Sequence, residues 1–258
     1  MSLQGRGAVI TGGGRGIGKA VARYLAERGA SVVVSARTTK EIDAVAAELQ
    51  ADGHQAHAIT CDVADEASVL AMTSEAANRL GTVDILVNNA GIAPSNAVKR
   101  IPLEEWNRVL AVNVTGTFLC TKAFLPGMLE RSWGRIINVA SVAGLRGSKY
   151  IAAYCASKHA QIGFTRALAD EVAGNGITVN AICPGYVDTP MTEYSVTQIV
   201  EKAGVSPEEA LQHILALSPQ KRLIRPEEIA AVAVMLCGDD GEGISGQAIA
   251  IDQGQGNH

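Results

Sequence analysis

A tyrosine and a lysine four residues apart carry the clearest chemical signal in this chain. Tyr154 and Lys158 would lie on one face of a helix, one turn apart. A free phenol has a pKa of about 10, and a nearby cation favours its phenolate. Because general acid–base catalysis works best when the pKa lies near the operating pH, the pair predicts a tuned proton donor and acceptor. The same spacing is common on helices without chemistry, so the prediction depends on the rest of the chain.

A serine precedes this pair at the end of an apolar run. Ser141 follows Ile136 to Val139, which reads as a buried strand. A hydroxyl at the C-terminal end of a strand, facing a helix that carries Tyr154 and Lys158, can hold a substrate oxygen for protonation. We therefore expect Ser141 to belong to the same site.

The composition favours one soluble α/β unit. The chain has 258 residues, 47% of them hydrophobic and 19% charged, which is enough for a large core in a single domain spanning 1–258. The net charge is −4 without a basic run, which argues against a nucleic-acid partner. The five cysteines are scattered without metal-type spacing, which predicts reduced buried thiols and no metal site.

The first residues of the sequence do not suggest targeting to a membrane. The opening residues MSLQGRGAVITGGG contain no signal-peptide apolar region and run directly into a strand. No apolar stretch reaches transmembrane length by inspection. We expect a cytoplasmic protein without a membrane partner.

A glycine-rich turn follows the first predicted strand. Ala8 to Ile10 is apolar, Gly12, Gly16 and Gly18 have the spacing GxxxGxG, and Ala20 to Arg28 is helical. Such glycines let the backbone approach a pyrophosphate, and the next helix offers free N–H groups at its N-terminus. The position between strand and helix favours a dinucleotide site over a flexible surface loop.

Two arginines indicate which dinucleotide would bind. Many dinucleotide folds place an acid after the second strand, here Ser31 to Ser35, to bind the adenosine ribose. This chain has Ala36 and Arg37 there, and Arg15 lies in the glycine turn. Guanidinium groups bind a 2′-phosphate through two N–H donors, which predicts NADP(H) and makes NAD(H) the weaker alternative. The competing interpretation is two solvated surface arginines.

Polar side chains also follow the third and fourth predicted strands. Asp62 comes after Ala56 to Thr60, and would accept from an adenine amino group or N-cap the helix Ala64 to Leu80. The segment Asn88 to Gly91 follows Asp84 to Val87. Its amides would tie neighbouring loops together, while a plain turn is the alternative.

Two long helices and a variable segment complete the second half. Leu103 to Arg131 is largely helical, with a kink or break near its end at Pro126. Asn113 lies inside it among apolar residues, so it needs a partner: a neighbouring backbone group, or a water near the Tyr–Lys pair. Ala152 to Val172 carries that pair. Residues 191–218 contain two predicted helices and would form a substrate lip.

The alternation of strands and helices predicts a doubly wound parallel sheet of the Rossmann type, with about seven strands and helices on both faces. Ligands in such sheets bind beyond the C-terminal ends of the strands. The residues singled out above fall at those ends or on the facing helix. The remaining predicted elements are the strands Gly134 to Val139, Ile177 to Ile182 and Gln247 to Ile251, and the helices Glu41 to Gln50 and Pro226 to Cys237.

With these residues in hand, the sequence resembles the short-chain dehydrogenase/reductase family over essentially its whole length. The matching motifs are TGGGRGIG at Thr11–Gly18, Asp62-Val63, NNAG at Asn88–Gly91, Asn113 in VNVTG, Ser141, YCASK at Tyr154–Lys158 and the PG pair Pro184-Gly185. The C-terminal motif departs from the frequent DGG and reads Asp252-Gln253-Gly254. That difference concerns the subunit-contact end and leaves the expected chemistry unchanged.

The resemblance implies a catalytic tetrad. Tyr154 would be the general acid in reduction and the base in oxidation. Lys158 would lower the pKa of Tyr154 and hold the nicotinamide ribose. Ser141 would orient the carbonyl, and Asn113 would hold a water that links Lys158 to solvent.

The resemblance also implies the cofactor contacts and the assembly. Beside Tyr154 and Lys158, the implied contact residues are Gly12, Arg15, Gly16, Ile17, Gly18, Arg37, Asp62, Val63, Asn89, Ala90, Gly91, Pro184, Gly185, Val187 and Thr189. Relatives usually form homotetramers through two long helices, here Leu103–Arg131 and Ala152–Val172.

The substrate is less well defined. The lip, Val142–Tyr150 and Ile92–Val98 would shape its pocket, and Arg146 or Lys149 would meet an anionic group or only water. The chain resembles two branches: polyketide and 3-oxoacyl ketoreductases, and 3-hydroxybutyrate dehydrogenases. Arg37 favours an NADPH-dependent ketoreductase. The alternatives are an NAD(P)+-dependent dehydrogenase of a 3-hydroxyacid or secondary alcohol, and a non-catalytic dinucleotide sensor.

Overall fold

Seven parallel strands form one sheet in the order β3-β2-β1-β4-β5-β6-β7. The structure is a computed structural model, and it describes residues 2–256. The strands are β1 (Gly7–Thr11), β2 (Ser31–Ala36), β3 (Ala56–Thr60), β4 (Ile85–Asn88), β5 (Gly134–Val139), β6 (Ile177–Pro184) and β7 (Ala248–Ile251). The predicted doubly wound parallel sheet is confirmed.

Helices cover both faces of this sheet. They are α1 (Gly16–Glu27), α2 (Thr39–Ala51), α3 (Glu66–Leu80), α4 (Leu103–Leu110), α5 (Gly116–Glu130), α6 (Ala152–Val172), α7 (Pro190–Ala203), α8 (Pro207–Ala216) and α9 (Pro226–Cys237). Side chains of α1, α2 and α9 share one apolar cluster with the sheet, and those of α3, α5 and α6 share another. The core is therefore two apolar layers separated by the sheet.

The strand sequences fit a sheet buried on both faces. In β1, Ala8 and Ile10 pack with the first cluster, and Val9 packs with the second. Successive side chains in a strand point to opposite faces, so a continuous apolar run fills both layers at once. This is why the strands are mainly apolar, although β4, β5 and β6 also bury Asn88, Asn138 and Asn180.

The order of the strands creates the crevice where the site lies. From β1 the chain moves outward to β2 and β3, then returns to pair β4 on the other side of β1. The loops after β1 and β4 therefore leave the sheet in opposite directions. In such sheets the crevice between those loops is the position where ligands bind.

The long helix predicted over Leu103 to Arg131 is divided by a π-helical turn at Ala111–Thr115. α5 continues through Pro126 to Glu130, so the irregularity does not lie at the proline where it was predicted. It lies around Asn113, whose side chain bonds a neighbouring loop. π-turns inside helices often occur at functional sites.

Two predicted helix starts require correction. α1 begins at Gly16, inside the glycine turn, rather than at Ala20. The N-cap of α3 is Asp65, whose side chain accepts a bond from the Ala67 N–H, so Asp62 is not the cap. Asp62 instead accepts from the Ala64 N–H at 3.1 Å, which holds its carboxylate at the end of β3.

Within residues 2–256, one helical run meets the length and composition of a membrane span. Leu103–Glu130 has 28 residues, and an 18-residue window within it has a mean hydropathy of 1.3 and is 44% buried inside the protein. The prediction that no apolar stretch reaches this length is therefore wrong. Cys120, Phe124 and Met128 from this run pack in the second apolar cluster, as in the core helix of a globular protein.

Candidate active site

A side-chain amide joins the two loops of the crevice. Asn89 Nδ2 donates to Thr11 O at 2.9 Å and to Gly12 O at 3.0 Å. In return, Thr11 Oγ1 accepts from the backbone N–H groups of Asn89 and Ala90. The tie predicted for the amides at this strand end is thus present, and it fixes the shape of the crevice floor.

The glycines of the turn are required by geometry. Gly12 has φ +64°, and a Cβ there would lie 2.8 Å from Asn89 Nδ2. Gly16 has φ +52°, and a Cβ there would lie 3.0 Å from Thr189 Cγ2. A Cβ at Gly18 would collide with Gly12 O. The turn therefore forms a bare-backbone cradle at the N-terminus of α1, which suits a phosphate group.

Most predicted cofactor residues line one cleft above this cradle. Those on its wall are Gly12, Arg15, Gly16, Ile17, Arg37, Asp62, Val63, Asn89, Ala90, Gly91 and Thr189. Gly18 is not on this wall; it packs against the backbone of Gly12 within the turn. Pro184, Gly185 and Val187, at and after the end of β6, are not on the cleft wall that the described residues form. Residues on the wall that were not predicted as cofactor contacts are Gly14, Ala36, Thr38, Glu41, Cys61, Ile92, Val112, Pro190 and Met191.

An acid stands among the arginines of this cleft. Glu41, in the first turn of α2, lies 3.6 Å from the Arg15 guanidinium. Its position at a helix start is ordinary for an acid, since it complements the helix dipole there. For that reason, no pattern in the sequence indicated that Glu41 faces the cleft.

The tyrosine and lysine lie together on α6 beyond the cleft. Tyr154 is partly accessible, whereas Lys158 is 3% exposed. Lys158 Nζ lies 5.6 Å from the centre of the Tyr154 ring. It donates at 2.7 Å to both Val139 O and Gln161 Oε1. The ammonium is thus anchored by oxygens behind the tyrosine.

Burial sets the proton affinity of both groups. It raises the pKa of Tyr154 to about 12, an effect that the Ser141 side chain partly offsets. Burial also lowers the pKa of Lys158 to about 7. The pKa of Tyr154 is therefore raised and not lowered as the Tyr–Lys spacing predicted, because removal of the phenol from water outweighs the hydrogen bond from Ser141 that lowers it. Near neutral pH, Tyr154 carries its proton.

Ser141 stands at the C-terminal end of β5, as predicted. Its Oγ accepts from the Ala143 N–H at 3.1 Å, which directs the hydroxyl. Its effect on the pKa of Tyr154 places the two side chains next to each other. The structure thus brings Ser141, Tyr154 and Lys158 together.

Asn113 is completely buried and bonds the protein on three sides. Its Oδ1 accepts from the Ile92 N–H at 2.9 Å, and its Nδ2 donates to Ile92 O and Ser157 Oγ at 3.0 Å. The neighbouring backbone, one of the two partners considered from the sequence, is thus a partner of this amide. The amide therefore joins the π-turn to the loop after β4 and to α6.

A buried pair that the sequence did not reveal lies next to Lys158. Gln161 Nε2 donates to Thr117 Oγ1 at 2.7 Å, and Thr117 donates to Asn113 O at 2.9 Å. Both side chains are buried. Gln161 is three residues from Lys158, so helix spacing was the available signal.

Two of the three segments expected to shape a substrate pocket reach the cleft, through Ile92 and Met191. Arg146 donates to Gln255 O at 2.7 Å, so this cation is bonded to the C-terminal segment, while Lys149 is exposed. The two helices predicted for the lip are α7 and α8. Lys202 of α7 bonds Ser95 O, which connects the lip to the loop after β4.

Comparison with known proteins agrees with this arrangement. The family model for short chain dehydrogenase matches residues 6–199. A 3-oxoacyl-[acyl-carrier-protein] reductase of Synechocystis is 40% identical over 98% of this chain and 98% of its own. A D-beta-hydroxybutyrate dehydrogenase of Rhizobium meliloti is 38% identical over 96% and 97%.

A solved structure has nearly the same backbone. A variant of actinorhodin polyketide ketoreductase, crystallised with NADPH, superposes with a TM-score of 0.96 and is 40% identical, with complete coverage of both chains. The resemblance of the motifs to a family is thus matched by the whole fold.

Proposed function

The chain belongs to the short-chain dehydrogenase family and is an oxidoreductase, and from that premise we propose that it uses NADPH to reduce a ketone to a secondary alcohol. The substrate we favour is a 3-oxoacyl compound or a similar carbonyl. The observation that carries the proposal is the meeting of Ser141, Tyr154 and Lys158 beside a glycine cleft that contains Arg15 and Arg37.

The cleft suits a dinucleotide. A Cβ at Gly12, Gly16 or Gly18 would lie within 3.0 Å of another protein atom, so the backbone of the turn is kept bare. The α1 N-terminus supplies N–H groups and a positive dipole end for the pyrophosphate. Asp62, Val63, Ala90 and Gly91 line the part of the wall proposed for the adenosine. When bound, the nicotinamide supplies the hydride that reduces the carbonyl carbon.

Tyr154 is proposed as the general acid of the reduction. Its raised pKa keeps the phenol protonated at neutral pH, which is the form that donates a proton to the developing alkoxide. Ser141 holds the same carbonyl oxygen through its hydroxyl. Because Ser141 is directed by the Ala143 N–H, little reorganisation is needed when charge develops on that oxygen.

Lys158 is proposed to bind the nicotinamide ribose, and both Lys158 and Asn113 are proposed to support proton transfer to and from Tyr154. Lys158 Nζ keeps a donor for a nicotinamide ribose hydroxyl, and its charge favours the tyrosinate when the proton has left. The side chain of Asn113 is occupied by Ile92 and Ser157. We therefore propose that the water linking Lys158 to solvent binds backbone groups of the π-turn at Ala111–Thr115, which Asn113 holds in place.

The preference for NADPH is supported by the cations of the cleft. Arg15 and Arg37 both line it, and Arg37 directly follows the end of β2, where an NAD enzyme would present an acid. The solved relative crystallised with NADPH has the same backbone. Val187 and Thr189, near the start of α7, are proposed to meet the nicotinamide carboxamide, with Pro184 and Gly185 shaping the approach.

The assembly proposed is a homotetramer. Phe118 on α5 is 46% exposed and packs edge-on against Phe164 of α6, and Leu103 on α4 is 67% exposed. Apolar groups exposed on these helices support burial against other copies of the chain. Sedimentation equilibrium tests this directly, and a monomer at micromolar concentration would contradict it.

A second function is favoured by the similarity to the D-beta-hydroxybutyrate dehydrogenase. The same residues would oxidise a 3-hydroxyacid or other secondary alcohol with NAD(P)+. Arg15 and Arg37 argue against NAD+ as its acceptor. A dinucleotide sensor without turnover is disfavoured because Tyr154 and Lys158 are both present.

The deciding experiment is a titration of the purified protein with NADPH and NADH separately, followed by turnover on a panel of 3-oxoacyl thioesters and activated ketones. A bidentate arginine contact to the 2′-phosphate predicts a tenfold or greater preference for NADPH, about 1.4 kcal/mol or more. If NADH bound as tightly as NADPH or more tightly, the second function, oxidation of a 3-hydroxyacid, would be favoured over ketone reduction. Binding without oxidation of NADPH by any ketone would favour the sensor.

A further inference from the structure

The ammonium of Lys158 is held from behind by two oxygens. Val139 O and Gln161 Oε1 each accept from Nζ at 2.7 Å, and within residues 2–256 these are its hydrogen-bond partners. An ammonium has three protons, so one remains. A Cβ added at Gly91, on the cleft wall, would lie 3.8 Å from Nζ. The remaining proton is therefore the one available to a ligand in the cleft.

Gln161 is itself fixed and cannot turn away. It is completely buried, and its Nε2 donates to Thr117 Oγ1 at 2.7 Å. Thr117 in turn donates to Asn113 O at 2.9 Å. Because Lys158 can only donate, the amide must present Oε1 to it and Nε2 to Thr117. The orientation of Gln161 is thus set by the same π-turn that carries Asn113.

A buried amide oxygen at this position has an electrostatic consequence. Removal from water disfavours the ammonium, whereas an oxygen acceptor at 2.7 Å favours it. An apolar side chain in place of Gln161 would leave Val139 O as the one protein acceptor among the described residues. Lys158 would then lose its proton at a lower pH and would lose the contact that fixes Nζ.

We propose that Gln161 is a positioning residue that keeps Lys158 charged and in place, with one N–H directed at the nicotinamide ribose. The inference rests on the proposed function, in which Lys158 binds that ribose. Gln161 touches neither substrate nor dinucleotide and acts through Lys158 alone.

Among the titratable groups near Lys158, burial keeps Cys183, Tyr186 and Tyr154 neutral between pH 6 and 9. In the described part of the chain, those that face it or Tyr154 are Cys183 and Tyr186, from β6 and the loop after it, and Cys155 on α6. Burial raises the pKa of Cys183 to about 11 and that of Tyr186 above its usual value. Tyr154, with a pKa raised to about 12, also stays neutral. A transition in this range whose midpoint shifts with Gln161 substitutions is assigned to Lys158, the titratable group that Gln161 contacts.

The test is the dissociation constant of NADPH measured from pH 6 to 9 by fluorescence titration. For the wild type, binding weakens through a midpoint near pH 7, where Lys158 loses its proton. We expect this midpoint to fall by about one pH unit in Gln161→Leu. In Gln161→Glu, which keeps an oxygen at the same reach and adds a negative charge, it rises above the wild-type value. The 2′-phosphate titrates near pH 6, so all proteins are compared with the same dinucleotide.

Thr165→Val is the matched control. Thr165 is buried on the same helix, one turn beyond Gln161, and it bonds Gln161 O and Asn138 without touching Lys158. Its replacement removes a buried hydroxyl and leaves the midpoint unchanged. If a role in packing were the only role of Gln161, its variants would behave like this control.

The outcomes separate the inference from the function on which it rests. Midpoints that do not differ among folded wild type, Gln161→Leu and Gln161→Glu would overturn the role of Gln161 while leaving the proposed function intact. A wild type that binds neither NADPH nor NADH would overturn both. If Gln161→Leu does not fold, Gln161→Asn, one methylene shorter, decides: its midpoint must fall, and an unchanged one contradicts the proposal.

Discussion

The carboxylate of Glu41 lies 3.6 Å from the Arg15 guanidinium, inside the cleft that also contains Arg37. An acid therefore stands in the region proposed to receive a 2′-phosphate. Its charge attracts Arg15 and repels a phosphate dianion. The cleft is consequently less selective for NADPH than its two arginines alone would make it.

Neutralising this acid should tighten NADPH binding. In Glu41→Gln the repulsion disappears and Arg15 is released, so we expect NADPH to bind roughly two- to fivefold more tightly, about 0.5–1 kcal/mol. NADH, without the 2′-phosphate, should change little. Titration with both dinucleotides measures this, and Asp43→Asn, exposed on the same helix but off the cleft wall, controls for net charge. Weaker NADPH binding would mean that Glu41 orients Arg15 instead.

Reversing the charge of Arg37 should move the preference toward NADH. Arg37→Asp removes a guanidinium from the cleft and supplies a carboxylate that can accept from a ribose hydroxyl. We expect the ratio of the NADPH and NADH dissociation constants to shift by tenfold or more. Lys40→Asp reverses the charge of another exposed cation, three residues further and off the wall, and should leave the ratio unchanged. An unchanged ratio in Arg37→Asp would identify Arg37 as a surface charge.

Removing one hydroxyl should stop turnover and spare binding. Tyr154→Phe keeps the ring on α6 but has no proton to donate, and we expect the rate of ketone reduction to fall at least 10²-fold. The NADPH dissociation constant should stay within a few fold of the wild-type value. Tyr24→Phe, on α1 and remote from the cleft wall, is the control. Near-normal turnover in Tyr154→Phe would exclude the proposed mechanism.

Local sequence patterns predicted the parts of the site that depend on the backbone. The glycine turn, the strand ends and the helix of Tyr154 follow from glycine spacing and from apolar runs, and they are found where expected. Parallel strands bring their C-terminal ends to one edge, so residues distant in sequence meet there without further information. This is why most predicted cleft residues share one wall.

Local patterns could not predict what depends on packing between distant elements. The partners of Asn113 are Ile92 and Ser157, 21 and 44 residues away. The proton affinity of Lys158 depends on burial by several elements at once, and this reversed the simple expectation for a Tyr–Lys pair. The helix break predicted at Pro126 was wrong, because α5 continues through this proline to Glu130.

The lowered pKa of Lys158 should appear as a pH dependence of stability. Its pKa is about 7 in the folded protein and 10.5 for the free side chain. Between these values the unfolded chain binds more protons than the folded one, so the free energy of unfolding rises with pH. Above about pH 9 the buried thiols of Cys120 and Cys237, with pKa values raised to about 12, oppose this trend. The interval from pH 7 to 9 therefore isolates the lysine.

We expect the wild type to gain on the order of 2 kcal/mol in unfolding free energy between pH 7 and 9, relative to Lys158→Met over the same interval. Methionine fills a similar volume and does not titrate, so taking the difference removes contributions that both proteins share. Urea unfolding at several pH values measures both curves. Parallel curves would mean that Lys158 remains fully protonated throughout, held by Gln161 and Val139 more strongly than burial disfavours it. In that case Lys158 would release its proton only at a higher pH.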